Sequence, residues 1–298
     1  MNSPPAQPSL PLTALHAWHA GLASAFASVR ETDLMPRLAE ALNALTPIES
    51  MLFILERKGQ PPHLLYQQGI PAQYRKTLLE RYFARGYMLD PFCLAIDNGL
   101  AEGFYHLSEI APDDFFNSEY YKTYYLKNGA LEDSYYIVDL DAQRKISLSL
   151  YQGCSGTRFS CEQLQLLRAV QPLVRELILQ FASTGGLDHV LDDDTDAPPP
   201  VGTLSQQIQA AFASFGSERL TEREREIAHL ILRGHSVKST ARELEISPET
   251  VRMHRKNLYT KLEIGSQAEL FSLFISWLSE RPAPSAPLNA TEPSANAH

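Results

Sequence analysis

The chain has 298 residues, room for two domains with separate cores, and a net charge of −9 from 26 Lys and Arg against 35 Asp and Glu. Its three cysteines (Cys93, Cys154, Cys161) show no CxxC spacing, which argues against a thiolate zinc site or a disulfide scaffold and fits free thiols in a reducing compartment. No basic segment followed by a long apolar run opens the chain, and no apolar stretch has the length of a bilayer span, so a cytoplasmic protein without membrane contact is expected.

Residues 1–11 are Pro-rich and predict no fixed structure. Leu15, Trp18, Leu22 and Phe26, then Leu34, Leu38 and Leu42, recur at helical spacing and predict two helices between Leu12 and Ala44. Met51–Glu56 and His63–Tyr66 read as strands on either side of a Lys58-Gly59 turn. A helix over Gln73–Gly86 and a second from Asp90-Pro91 to about Gly99 should follow. A loop then carries a short apolar piece (Phe104, Tyr105, Leu107), and Asn117–Asn128 reads as a helix with four tyrosines. Tyr135–Asp139 and Lys145–Tyr151 predict a hairpin. A long helix, Cys161–Phe181, closes the domain, with Ser160 and Gln163 as its cap and Leu164, Leu167, Val170, Val174 and Ile178 as its buried stripe.

This order is α+β: an antiparallel sheet with helices on its faces, as in a PAS- or GAF-like sensor domain, here over 12–182. Residues 183–213 combine Gly-Gly, an acidic run and three prolines, a linker composition. Residues 280–298 read as a disordered tail.

Between them, 214–279 predict an all-α helix-turn-helix domain. Thr221 and Glu224 form a capping box, and Gly234 stops the first helix. Ser236 caps a second helix, and Ser247 with Pro248 starts a third that should end at Gly265. On a wheel of about 100° per residue, Val251, Leu258 and Leu262 share one side of the third helix, which anchors it. Glu249, Met253, Lys256 and Thr260 occupy the opposite side, flanked by Arg252 and Asn257. That face can enter a major groove, where Arg252 and Lys256 reach guanine O6 and N7 and Met253 meets a thymine methyl. Arg255, Lys238 and Lys261 are placed for phosphates, and Ser247 and Thr250 stand at the helix start. Charge agrees: 217–281 carry 11 Lys and Arg against 10 Asp and Glu, and 247–262 carry four against one. The acidity lies upstream.

The segment resembles the LuxR-type (NarL/FixJ-like) DNA-binding domain along its whole length. The matching residues are Leu220-Thr221-Glu222-Arg223-Glu224, Gly234-His235-Ser236, Lys238, Ile246-Ser247-Pro248-Glu249-Thr250-Val251, Arg252-Met253-His254 and Lys261-Leu262. Val237 stands where the family usually has Asn, and Thr240-Ala241 where it has Ile-Ala. The resemblance implies a transcription regulator with groove contacts at Arg252, Met253 and Lys256. One recognition helix buries too little surface for tight specific binding, so a homodimer on an inverted-repeat site in double-stranded DNA is expected, with Phe271, Phe274 and Trp277 of a fourth helix as its local contact and RNA polymerase as a further candidate partner. The upstream domain is similar in order to autoinducer-binding domains. Tyr87 before Asp90-Pro91 matches that family's aromatic and Asp-Pro element, and Tyr105 a later pocket aromatic. The family's upstream Trp is absent, with Tyr74 the nearest aromatic.

A small-molecule effector is therefore expected against Tyr87, Asp90, Tyr105 and one tyrosine pair, Tyr121 with Tyr125. The bland readings stay beside it: Asp90 is a good N-cap for Pro91, and a tyrosine-rich helix is more often packing. No Walker loop, GxGxxG, HExxH or GxSxG motif points to an enzyme or a cofactor. A receiver domain would need alternating βα units that the sequence lacks, whereas an interaction module without ligand remains open.

Overall fold

A computed structural model describes residues 11–31, 33–58, 60–75, 79, 81–192 and 210–280. The expectations for 1–10, Gly59, 193–209 and 281–298 fall outside them. Helices α1 (Leu12–Ala27) and α2 (Leu34–Leu45) pack as a hairpin and lead into strands β1 (Ser50–Arg57) and β2 (His63–Gln68). A helical insert carries α3 (Pro91–Asp97), edge strand β3 (Gly103–His106) and α4 (Glu119–Tyr124). Strands β4 (Glu132–Asp139) and β5 (Arg144–Gln152) follow, then α5 (Cys161–Ser183) and α6 (Gly186–Asp192). The sheet has five antiparallel strands in the order β2-β1-β5-β4-β3, the α+β architecture expected.

Period-2 alternation divides the sheet into two faces. Met51, Phe53 and Leu55 with Tyr136, Val138, Ile146, Leu148 and Leu150 pack under α1, α2 and α5. Leu52 and Ile54 with Tyr135, Ile137 and Tyr151 face the insert. Register places Leu52 opposite Ser149 and Ser149 opposite Tyr135, so the insert-facing side carries serine hydroxyls among its aromatic and aliphatic side chains. Helix α5 begins at a complete capping box of Ser160 and Gln163 and buries Leu167, Val174, Leu177, Ile178 and Phe181. Each such side chain contributes roughly 1.5–3 kcal/mol by leaving water.

Three local expectations need correcting. The piece around Phe104 and Tyr105 is not a loop but β3, paired with β4 and completing the sheet. The Asn117–Asn128 helix is broken. It runs from the Ser118 cap to Tyr124, turns at Tyr125 (φ −105°, ψ −72°), and continues as a 3₁₀ turn, Leu126–Asn128. In the tighter turn the Asn128 backbone N–H donates to the Tyr125 carbonyl at 2.9 Å and its side-chain amide to the Tyr124 carbonyl at 2.8 Å. Of the expected Gln73–Gly86 helix, every described residue from Ala72 to Ala84 is helical and a 3₁₀ turn follows from Gly86, with 76–78 and 80 outside the described residues. Finally, the third C-terminal helix does not run to Gly265. It stops at Leu262, where Glu263 takes the left-handed conformation (φ 59°) and the Ile264 amide bonds back to the Tyr259 carbonyl.

The stretch read as a linker opens with α6, whose Leu187 is buried in the sensor core. Residues 210–214 are helical, and Phe212 and Phe215 pack into the C-terminal domain. That domain comprises α7 (Glu222–Leu232), α8 (Val237–Glu243), α9 (Pro248–Leu262) and α10 (Gln267–Glu280). Phe274 of α10 lies between Phe212, stacked at 4.7 Å, and Phe215, edge-on at 5.1 Å. The large apolar surface of α10 is thus largely consumed inside the chain, with Leu273 left 38% exposed.

The two domains touch. The segment Asp113–Phe115, just before α4, sits against the turn between α7 and α8. The Asp114 amide donates to the Gly234 carbonyl at 3.0 Å. Asp113 accepts from the Ser236 amide at 3.0 Å and from its hydroxyl at 2.6 Å. Gly234 has φ +88°, and a Cβ there would lie 2.8 Å from the Phe115 Cα, so glycine is required both by conformation and by proximity.

Candidate DNA interface and effector site

Helix α9 is anchored as the wheel requires: Val251, Leu258 and Leu262 are buried against α7 and α8. Ser247 caps its start, accepting from the Thr250 amide at 3.1 Å, and the Ser247 and Thr250 hydroxyls lie 2.9 Å apart. The outer face carries Arg252, Met253, Arg255 and Lys256, all exposed, with Met253 at 52%. Arg252 is held upright by Glu249 at 2.9 Å, and Arg255 lies over the Tyr259 ring at 5.5 Å. Arg252, Arg255 and Lys256 line one open concave surface with Val237, Tyr259 and Thr260, while Met253 and Lys238 are exposed outside that lining. Of the eight residues expected at DNA, Arg252, Arg255 and Lys256 share this surface, Ser247 and Thr250 stand at the start of α9, and Met253 and Lys238 are exposed.

Lys261 is elsewhere. Its ammonium lies 2.7 Å from Oε2 of Glu224, a side chain only 3% exposed. The same oxygen accepts from the Thr221 amide at 2.8 Å, completing the capping box of α7. These donors, Lys261 above all, hold the Glu224 carboxyl below its usual range although burial opposes them. Lys261 thus ties α9 to α7.

In the sensor, Tyr87, Asp90, Tyr121 and Tyr125 are buried, while Tyr105 stands half-buried on β3 and donates to the Ala101 carbonyl at 3.2 Å. Asp90 is the N-cap of α3: Oδ1 accepts from the amides of Phe92 (2.7 Å) and Cys93 (3.2 Å). Its Oδ2 accepts from the hydroxyls of Tyr82 (3.0 Å) and Tyr120 (3.2 Å). Burial raises its pKa, and these four donors oppose the shift. Tyr121 stacks on Tyr125 at 5.3 Å, and Tyr125 donates to Asp133 at 3.0 Å. Phe92 stacks on Tyr135 at 3.8 Å, and Phe115 packs against Tyr120, Tyr121 and Tyr125. All four tyrosines of the 120–125 segment are buried, so neither pair is a surface feature. Asp133 is wholly buried, and burial, with the Asp90 charge adding to it, pushes its carboxyl well up.

An open cleft lies elsewhere on this face, where the ends of β1, β4 and β5 meet α3, and its walls are charged. The sequence reading missed Glu56 there, although the alternation Leu52, Ile54, Glu56 places its carboxylate on the insert-facing side. It also missed Asp113 and Phe115, for which the sequence offered no signal.

Comparison with known proteins places this architecture. The model of bacterial regulatory proteins of the luxR family matches residues 218–274. A putative HTH-type transcriptional regulator of Aeromonas salmonicida is 35% identical over 195 residues, 65% of this chain and 96% of that protein. The chain belongs to the luxR family of bacterial regulatory proteins. This luxR-family chain is a transcription regulator whose helix-turn-helix domain is α7–α10. A quarter of it is also 40% identical over 75 residues to the transcriptional regulatory protein UhpA of Escherichia coli, covering 38% of UhpA. Its N-terminal domain is similar to the VqsR LBD domain of Pseudomonas aeruginosa, with TM-score 0.50 and 27% identity over 56% of this chain and 98% of that one.

Proposed function

We propose that the regulator is cytoplasmic and binds an inverted-repeat site in double-stranded DNA as a homodimer, with α9 in the major groove. Arg252 and Lys256 read base edges, and Met253 contacts a thymine methyl. Ser247, Thr250, Arg255 and Lys238 meet phosphates. The supporting observation is the division of α9 between a buried apolar side and an exposed cationic side on one concave surface. One such helix buries too little surface for tight specific binding at physiological salt, so two copies are required. Replacing Lys256 by Ala should cost about 1–3 kcal/mol on the cognate duplex and relax its sequence preference. Lys238→Ala should weaken all duplexes alike and reduce the salt slope by about one. Binding curves on cognate and scrambled duplexes at several salt concentrations test both, and an unchanged preference for Lys256→Ala removes the assignment.

The domain at 12–182 reads a small organic effector and passes the signal to the DNA-binding domain at 214–279. The aromatic interior supplies Tyr87, Asp90, Tyr121 and Tyr125, with Tyr105 at its edge. A ligand reaching Asp90 displaces a tyrosine hydroxyl from Oδ2, because both oxygens are already used. The contact of Asp113–Phe115 with the helix-turn-helix turn supports direct coupling, since Phe115 packs on that interior and on Gly234 at once.

A further inference from the structure

The cleft at the end of the sheet holds about 220 Å³ and is separate from the aromatic interior. Its floor is Glu56, Cys93 and Ile96, all buried; Asp97 forms part of one wall, and Lys145 and Asp139 another. Glu56 decides the chemistry. Only 6% of the residue is exposed, Oε1 accepts from the Ser147 hydroxyl at 3.0 Å, and among the described residues no donor reaches Oε2. Among the described residues no ammonium or guanidinium pairs with this carboxylate, although Lys58 also lines the cleft. Lys145 lies opposite it in register but gives its ammonium to Asp139 and to the Leu100 carbonyl. Arg57 donates to Gln60, and Arg144 pairs with Asp141 at the rim. The other charges acting on Glu56 are Asp90 and Asp97, of its own sign. Burial, helped by those two and opposed by Ser147, raises its carboxyl to about 7.

A nearly buried carboxylate with a free oxygen, acidic neighbours and an apolar floor is complementary to a compact cation on a short hydrophobic stem. We propose that this cleft is an effector site for a small primary ammonium compound, with Glu56 receiving the ammonium, Asp97 assisting it, and Cys93 and Ile96 taking the stem. The inference rests on the sensing role above and adds a second effector site, apart from the aromatic interior, with its own ligand class. The site also has a route inward. The Cys93 thiol meets the Tyr82 hydroxyl at 3.3 Å, Tyr82 and Tyr120 share Asp90, and Tyr120 packs on Phe115, which abuts Gly234.

The test is calorimetric titration of the full chain with 2-phenylethylamine, and with 2-phenylethanol as the neutral match of the same skeleton. The amine should bind at least tenfold tighter than the alcohol. E56Q should lose at least tenfold for the amine and leave the alcohol unchanged. D97N, which keeps Glu56, should lose severalfold and serves as the deciding variant should E56Q melt early. Equal binding of the two compounds, no saturable amine binding, or full affinity in the variant measured overturns the site. A parallel measurement of promoter binding separates the two claims. Amine binding through Glu56 without any change at DNA supports the site and removes the sensing role. A DNA response to a neutral molecule that survives E56Q overturns the site and leaves sensing in place.

Discussion

Asp113→Ala is the most direct probe of how the two domains are joined. The substitution removes two hydrogen bonds, at 2.6 and 3.0 Å, from one carboxylate to Ser236, and leaves the Ser236 cap of α8 on the Ser239 amide intact. Hydrogen bonds to a charged group contribute roughly 1.5–3 kcal/mol where water is excluded. Asp113 is exposed, so solvent screening reduces the pair to about 1 kcal/mol. The clasp should therefore open about five times more often. The measurement is amide hydrogen exchange at Ser236 and Asp114, whose N–H groups bond across the interface. Both should lose protection, Ser236 most, while amides inside α9 keep theirs. Ser236 donors hold the Asp113 carboxyl below its usual range. Its contribution is thus present above the unfolded value near 3.8 and fades as pH falls through the lower folded value. Unchanged exchange at both amides in Asp113→Ala would refute the clasp.

Lys261→Ala should cost about 1–2 kcal/mol in denaturant unfolding by leaving the buried Glu224 with its weaker donors, and should leave the salt slope of DNA binding unchanged. Glu263→Gly should stabilise the C-terminal domain by up to about 1 kcal/mol, because Glu263 carries a left-handed backbone that glycine adopts freely; a lower melting temperature would contradict this. His229 is stacked on Phe212 at 3.7 Å, and burial followed by the Arg233 charge pushes its pKa down to about 3 from 6.5. The unfolded chain then binds the proton first, so stability falls as pH drops from 6.5 toward 3, by about 2 kcal/mol between pH 7 and 5. His229→Phe should flatten that slope in melting curves.

The reading from sequence succeeded where a side chain's role follows from its neighbours in the chain. Caps at Thr221, Ser247 and Ser160 and the anchoring of Val251, Leu258 and Leu262 are local facts of spacing, and each appears as expected. Roles set by distant partners were illegible. Lys261 looked like any cation on a DNA-facing helix, because Glu224 lies 37 residues away. The packing of Phe274 and Trp277 could not be read from spacing either, because Phe212 and Phe215 reach them from a segment with no helical signature of its own. Edge strand β3 was missed for a similar reason. Four residues are too few for a period to register, and only pairing with β4 makes them a strand.

The Asp113–Ser236 contact ties the sensor to the domain that grips DNA, and equilibrium linkage then runs in both directions. If an effector changes promoter affinity by some factor through this contact, the promoter must change effector affinity by the same factor. A regulator on its operator and one free in solution would therefore respond at different effector concentrations. The operator would itself tune the dose at which the switch turns. Adding cognate duplex to the titration should displace the effector isotherm by the ratio seen when effector is added to the DNA curve, and Asp113→Ala should shrink both displacements together.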